Sequence, residues 1–484
     1  MPVSKNRRNK SGKNRTSLKQ HERQGKTLRP AFSQLENKMD GKLFFSNWTY
    51  ERLPELLWAA IVRVIDDQYF AINEFRKILS FIKSHPNKEE INDISLSGIS
   101  RLNPSLQEEL ISAIISEPKV ASALTVLKLF PDFPAKNIWI KLLPNTPPNI
   151  EIMMHAIGRC LYHQSQEATD CRWLRIMAII HSGKMFIPEN MVENLLGYPN
   201  IGDQHSVRPT IRAMEMTFTQ EKTDWPDIFW EECWERTPCL ELELSKNKNE
   251  ITYAAIDSVE KIDIKLMEHW HSTHKTTEID AKHDCVFGIA FFALRIVKEM
   301  IEGSSASGIL GRLGLRTILE LYITLHYLLK QDDKSLWLKW RKYGSGQAKL
   351  NTLRFDEEII PPKYIDTDVL ETISGEDTWE EFLDIELGNW TNLDLRKLSI
   401  NCNLKELYDK YYSWPSGFSH GHWGAIRESN FTTCGNPLHR LHRYPNLTTL
   451  PNVIFDVQLL VNLILDDCDK AYSGLTNRLD IEFL

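Results

Sequence analysis

Three long stretches, Asn249–His274, Ala281–Glu302 and Ile309–Lys330, place their apolar residues at helical spacing, and this pattern constrains the fold more than any other feature. Nowhere do alternating runs of β-branched residues occur in sufficient number to build a sheet. The chain is therefore expected to be all-α, a multi-helix N-terminal region followed by a C-terminal helical bundle. Gly303-Ser-Ser-Ala-Ser-Gly308 reads as the turn between two of the long helices, and Val453–Tyr472 as the helix that closes the bundle. In the N-terminal half, Leu53–Ile65 opens the first strong helix, with Pro54 in the first turn, where proline is tolerated. Further amphipathic segments fall at 70–85, 105–117, 120–129, 150–163, 170–181 and 188–196. The Trp-rich acidic stretch Asp224–Leu244 carries no clear period.

A chain of 484 residues exceeds a single ordinary core. The expected division is a basic disordered tail over 1–40, an N-terminal helical region over 45–245 and a C-terminal bundle over 250–475. The 14 tryptophans suit large cores and broad helix–helix interfaces. The 8 cysteines are scattered singly, with no CxxC pair, which removes the zinc ribbon and the thioredoxin-like motif. Val286–Leu294 is the longest apolar stretch and is far too short to span a bilayer. The N-terminus lacks the apolar core of a secretory signal. A cytoplasmic protein with no membrane contact is expected.

Charge is unevenly spread. Residues 1–29 carry ten Lys/Arg against Glu22 alone, +9 in a chain whose net charge is −7, which leaves −16 on the remainder. So polar a tail cannot bury a core. It suits contact with nucleic acid through counterion release, or equally a solubilising role.

Two local patterns carry chemistry. Arg316 and Glu320 are four residues apart, on one face of a helix whose neighbours Leu313, Leu315, Leu319, Ile323 and Leu328 are apolar. The pair is expected to point into a packed interior, either as a structural ion pair or as a guanidinium prepared for a phosphate. The second pattern is the segment Tyr411–Trp423, in which Ser416 and His420 are four apart and His420 and His422 flank Gly421. Two imidazoles here suit general acid and base near neutral pH, or a bonded structural network. Carboxylates and cysteines that would complete a metal set are missing nearby, so no metal site and no cofactor are read. Gly308, Gly311 and Gly314 recur every third residue without a following Lys-Ser/Thr, which favours close helix approach over a phosphate cradle.

Arg316-x-x-x-Glu320, then Gly388-Asn-Trp390 with Arg396, then Tyr408-x-x-x-Tyr412-x-x-x-Ser416-x-x-x-His420-Gly421 resembles a widespread bacterial family of helical domains of unknown function, over about residues 250–470. The Leu53–Trp58 region is more weakly similar to leaders that accompany such domains. A looser similarity is to the HEPN superfamily (higher eukaryotes and prokaryotes nucleotide-binding), many of whose helical domains are ribonucleases in bacterial defence. Their signature places four to six residues between an Arg and a following His; here His420 and His422 precede Arg427, and the forward spacing occurs instead at Arg175–His181.

Two readings follow. In the first, the chain is a bacterial stress or antiphage-defence protein whose C-terminal domain acts on RNA or a nucleotide. Arg316 holds phosphate, Glu320 orients it, His420 and His422 move protons, and Arg396, Arg427, Ser416 and Tyr412 help bind substrate. In the second, the protein is a non-enzymatic sensor or scaffold that binds a protein partner or a second copy of itself, and Arg316, Glu320 and His420 form a structural network. GxGxxG after a strand, GxSxG, HExxH and EF-hand patterns are all missing, which sets aside dehydrogenases, α/β-hydrolases, zincins and kinases.

Overall fold

A computed structural model describes residues 21–29, 46–187, 189–198, 207–216, 222–241, 253–355, 360–376, 383–440, 442–446 and 449–481. These residues are overwhelmingly helical, with strands confined to two short antiparallel pairs, so the all-α expectation holds. One strand pair, Glu22–Gln24 with Thr27–Arg29, turns at Gly25, whose φ of +61° suits a two-residue hairpin loop. This exposed hairpin lies within the stretch expected to be disordered; residues 1–20 and 30–45 of that tail lie outside the described residues. Among the described residues no single helix is long and apolar enough to cross a membrane.

The chain divides into two compact units. The first comprises residues 1–242 together with 434–442, and the second comprises 243–433 with 443–484.

In the first unit, helices begin where the sequence supplies caps. The side chains of Asp67, Ser95, Asn103 and Ser165 accept hydrogen bonds from Phe70, Gly98, Leu106 and Ala168 N–H, and Pro104 and Pro118 occupy first turns. Tryptophans act as polar-tipped braces of the core. The indoles of Trp48, Trp58, Trp173 and Trp225 donate to the carbonyls of Cys160, Ile94, Leu195 and Pro54 at 2.8–3.0 Å. Asp224–Leu244 resolves into a helix over Trp225–Arg236, with Phe229 and Trp230 in the core.

The Gln166–His181 helix is buried around nearly its whole circumference, so its charged residues must be paired. Arg175 holds Asp93 through two bonds of 2.9 and 2.8 Å and Glu215 through a third of 2.9 Å. Arg52 and Arg172 converge on the same Glu215 carboxylate, and Arg172 also lies over the Trp48 ring at 4.0 Å. Burial lowers the pKa of Arg172 to about 9 against the attraction of Glu215, with Arg52 and Arg212 adding repulsion. The Arg175–His181 spacing is thus met by a structural arginine locked between two carboxylates.

In the second unit, Ala281–Glu302, Ile309–Gln331 and Ile454–Ala471 pack on one another, with Tyr253–Thr273 and Lys334–Arg354 laid against Ala281–Glu302. Val286, Ile318, Leu319, Ile323, Leu328, Val457, Leu460 and Ile464 fill the core, each such side chain contributing roughly 1.5–3 kcal/mol by leaving water. His326 Nδ1 meets Asp467 Oδ2 at 2.7 Å and ties two of these helices together. Shorter helices, Leu395–Asn401 and Ser413–Ser419, pack on Ile309–Gln331.

The glycine spacing serves close approach. A Cβ on Gly311 would lie 2.7 Å from the Ser305 carbonyl oxygen and 2.8 Å from that of Ala306; one on Gly314 would lie 2.9 Å from side-chain atoms of both Ile296 and Met300.

Two stability outcomes are expected in chemical denaturation. Gly311→Ala, which strikes backbone, should cost about 1–3 kcal/mol, and Gly314→Ala less, because the end of Met300 can move. Glu215→Gln should cost about 3–5 kcal/mol by leaving three buried guanidinium groups without their shared anion, whereas Lys298→Met, at the exposed pair with Glu260, should change stability by less than about 1 kcal/mol.

Candidate functional site

The sequence-selected residues of the second unit fall along one docked stripe. Tyr412 N–H bonds to Tyr408 O, Ser416 N–H to Tyr412 O and His420 N–H to Ser416 O, at 2.9, 3.0 and 3.2 Å. These successive i→i+4 bonds set each of Tyr408, Tyr412, Ser416 and His420 beside the next, in a row that turns about 40° per step across the junction of Lys405–Tyr411 and Ser413–Ser419. The stripe is held on Ile309–Gln331 at two levels. Phe418 packs with Leu313 beneath the guanidinium of Arg312, 5.9 Å away, and Tyr412 meets Arg316.

Arg316 donates from Nε to Glu320 Oε1 at 2.8 Å and from Nη2 to the Tyr412 hydroxyl at 3.3 Å, with its guanidinium 5.1 Å from the Tyr412 ring centre. Burial works against its charge, yet the Glu320 and Tyr412 contacts outweigh it and raise the pKa. The Arg316 and Glu320 side chains are 19% and 39% exposed, so the pair sits at the edge of the core and not inside it. The buried arginine of this helix is Arg312, one turn earlier, which donates to the Pro451 carbonyl at 2.6 Å and to those of Ala306 and Gly308. It takes the inward place because three backbone carbonyls there replace its hydration.

Tyr412 stacks on Tyr408, ring centres 4.6 Å apart and 17° from parallel. Burial raises the Tyr408 pKa, Tyr412 adds to the rise, and the exposed Arg396 pulls the other way. Two half-buried tyrosines therefore lie beside Arg316, and the exposed guanidinium of Arg396 is near enough to act electrostatically on Tyr408.

At the other end, the glycine between the histidines shapes the turn. Gly421 has φ of +58°, and the N–H groups of His422 and Gly421 return to the carbonyls of Gly417 and Phe418 at 2.9 and 3.5 Å. This left-handed cap ends Ser413–Ser419 and folds His422 back beside His420. The two imidazoles are exposed and nearly stacked, ring centres 5.7 Å apart. Trp414 braces the turn by donating to Glu428 at 3.0 Å, and it and Trp423 expose 56% and 60% of their surface beside the histidines.

Among the described residues, no hydrogen bond, ion pair or ring contact joins either imidazole to Arg316. At about 1.5 Å per residue, His420 lies roughly 12 Å along the stripe from Tyr412. Arg427 donates to Phe431 O and Thr433 Oγ1 at 2.8 and 2.7 Å, which commits it to the chain that follows. Sequence reasoning passed over Arg312 and Trp414. It also passed over a cluster in the first unit, Cys239, Cys434 and His439, whose donor atoms lie within 4.8 Å of one another. The Cys-x4-His spacing of the last two was its one visible trace.

Residues 298–436 match the model of a family of unknown function (DUF5677). The match spans the whole stripe, Arg316, Glu320, Arg396, both histidines and Arg427, and it supports the likeness to such a family within the 250–470 region. The family's description names neither an activity nor a HEPN relationship. No curated protein and no solved structure matches the chain.

Gly421→Ala should lower stability by about 1–2 kcal/mol because the left-handed backbone crowds a Cβ, and Gly421→Asn by clearly less. Thermal denaturation of the two variants side by side checks this.

Proposed function

We propose that the C-terminal unit binds RNA or a nucleotide along the Tyr408–His420 stripe, and that His420 and His422 move protons at a phosphodiester held there. The observation that carries this reading is a tyrosine stack held beside Arg316, followed about two helical turns along the same docked segment by an exposed imidazole pair. Aromatic faces receive bases at about 1–3 kcal/mol each, and guanidinium groups receive phosphates. The roughly 12 Å between the Tyr412 level and His420 suits a strand spanning more than one nucleotide. Glu320 fixes Arg316, and Ser416 lies between the two ends.

In the proposed step, one imidazole takes the proton of a ribose 2′-hydroxyl as that oxygen attacks phosphorus. The other protonates the departing 5′-oxygen, leaving a 2′,3′-cyclic phosphate and a free 5′-hydroxyl. The basic segment 1–29 raises the local concentration of nucleic acid. A bacterial stress or antiphage response is the proposed setting, and it rests on the family likeness alone.

The scaffold reading is favoured by one observation: Arg316 already spends Nε on Glu320 and Nη2 on Tyr412. Single-stranded RNA binding and cleavage by the full chain separate the two readings. For the enzyme, His420→Ala and His422→Ala should each keep the fold and RNA affinity while cleavage falls about 100-fold or more. Arg396→Ala should weaken binding and reduce the slope of log K against log salt by about one. Cleavage unchanged in both histidine variants, or a His420→Ala protein that only melts earlier, would favour the scaffold.

A further inference from the structure

We propose that Cys239, Cys434 and His439, all in the first unit, bind a zinc ion, with His442 as the fourth ligand. His439 Nδ1 lies 3.5 Å from Cys239 Sγ and 3.4 Å from Cys434 Sγ. In a tetrahedral zinc site with ordinary Zn–S and Zn–N bonds, the sulfur–nitrogen edge is about 3.6 Å, so the three donors already stand near the corners of such a site.

A neutral imidazole has one accepting nitrogen with one lone pair, so Nδ1 can accept from one thiol and not from two. A cation satisfies all three donors together.

The surroundings are those of a prepared ligand set. His439 Nε2 lies 3.0 Å from the Thr237 carbonyl oxygen, so its N–H points there and Nδ1 is left bare. Cys434 Sγ accepts the N–H groups of Leu240 and Asn436 at 3.3 and 3.4 Å, which fixes the sulfur in place. Asn436, 2% exposed, fixes the loop by donating to Thr237 Oγ1 and the Pro238 carbonyl at 2.9 and 2.8 Å and by accepting from Leu438 N–H at 2.9 Å. His442 follows three residues after His439, with ring centres 5.9 Å apart; its nitrogens lie outside the 4.8 Å cluster of the other three donors, so it must swing inward to complete the set. Its Nδ1 is buried and has no hydrogen-bond partner among the described residues.

Two thiolates with imidazole select zinc over the hard cations magnesium and calcium. Binding releases the protons of whichever thiols were protonated and clips residues 434–442 to the segment that follows the Trp225–Arg236 helix.

The test uses the full chain purified under reducing conditions without a metal-affinity step. Elemental analysis should find about one zinc per chain. Cys434→Ser and His439→Ala should each reduce this to near zero. Cobalt added to the metal-stripped wild type should give a thiolate charge-transfer band and the strong visible bands of a tetrahedral site. An unaltered cobalt spectrum in His442→Ala would remove His442 from the set. Folded, reduced wild type with neither zinc nor a cobalt spectrum would overturn the proposal, as would a Cys239–Cys434 disulfide that persists in the protein as isolated. The cobalt measurement on wild type decides the matter even if the variants fail to fold.

Discussion

The imidazole end of the C-terminal unit depends on the docking of one short helix. Ser413–Ser419 has seven residues, too few to be stable on its own in water, so its geometry comes from what it rests on. Phe418 beneath Arg312 and Tyr412 beside Arg316 fasten it to Ile309–Gln331, and Trp414 fastens it to Trp423–Asn430. With both sides held, the left-handed Gly421 has one way to turn. The spacing of His420 and His422 is therefore a property of the bundle, expressed through a single glycine.

Both units pair arginines with carboxylates, but at different depths and to different ends. In the first, Glu215 gathers three arginines at full burial, which fixes how helices distant in sequence meet. Removing the anion from such a set costs much more than the set contributes relative to apolar packing. In the second, Arg316 is held by one carboxylate and one phenol and stays partly open to water. Its fixed guanidinium loses little further freedom on meeting an anion, which suits recognition better than the sealed cluster does.

Helix positions were largely legible because burial of one face imposes a period on sequence. Ala281–Glu302 begins and ends where its pattern and the Gly303 turn put it, Ile309–Gln331 differs from expectation by a residue at one end, and Ile454–Ala471 by a residue at each end. Lys334–Arg354 was not anticipated, since its aromatic and basic residues form no clean apolar stripe; Trp337, Ser345, Gly346 and Ala348 make its buried contacts. Trp225–Arg236 stayed uncertain for a related reason: buried Trp225 and Trp230 and half-exposed Trp234 are spread around the helix among Glu231, Glu232 and Glu235, which blurs the period.

By itself the sequence determined the all-helical class and the Arg316–Glu320 pair, and it offered the four-residue spacing of Ser416 and His420, because each rests on periodicity over a turn of helix. Only the tertiary structure decided that Arg312 is the buried arginine and Arg316 the half-open one, since both lie on one apolar helix and only the neighbouring carbonyls tell them apart. It alone assigned residues 434–442 to the first unit and so brought Cys434 and His439 to Cys239. Local spacing records contacts within a turn or two of helix; a contact across nearly two hundred residues leaves no period in the chain, and folding alone creates it.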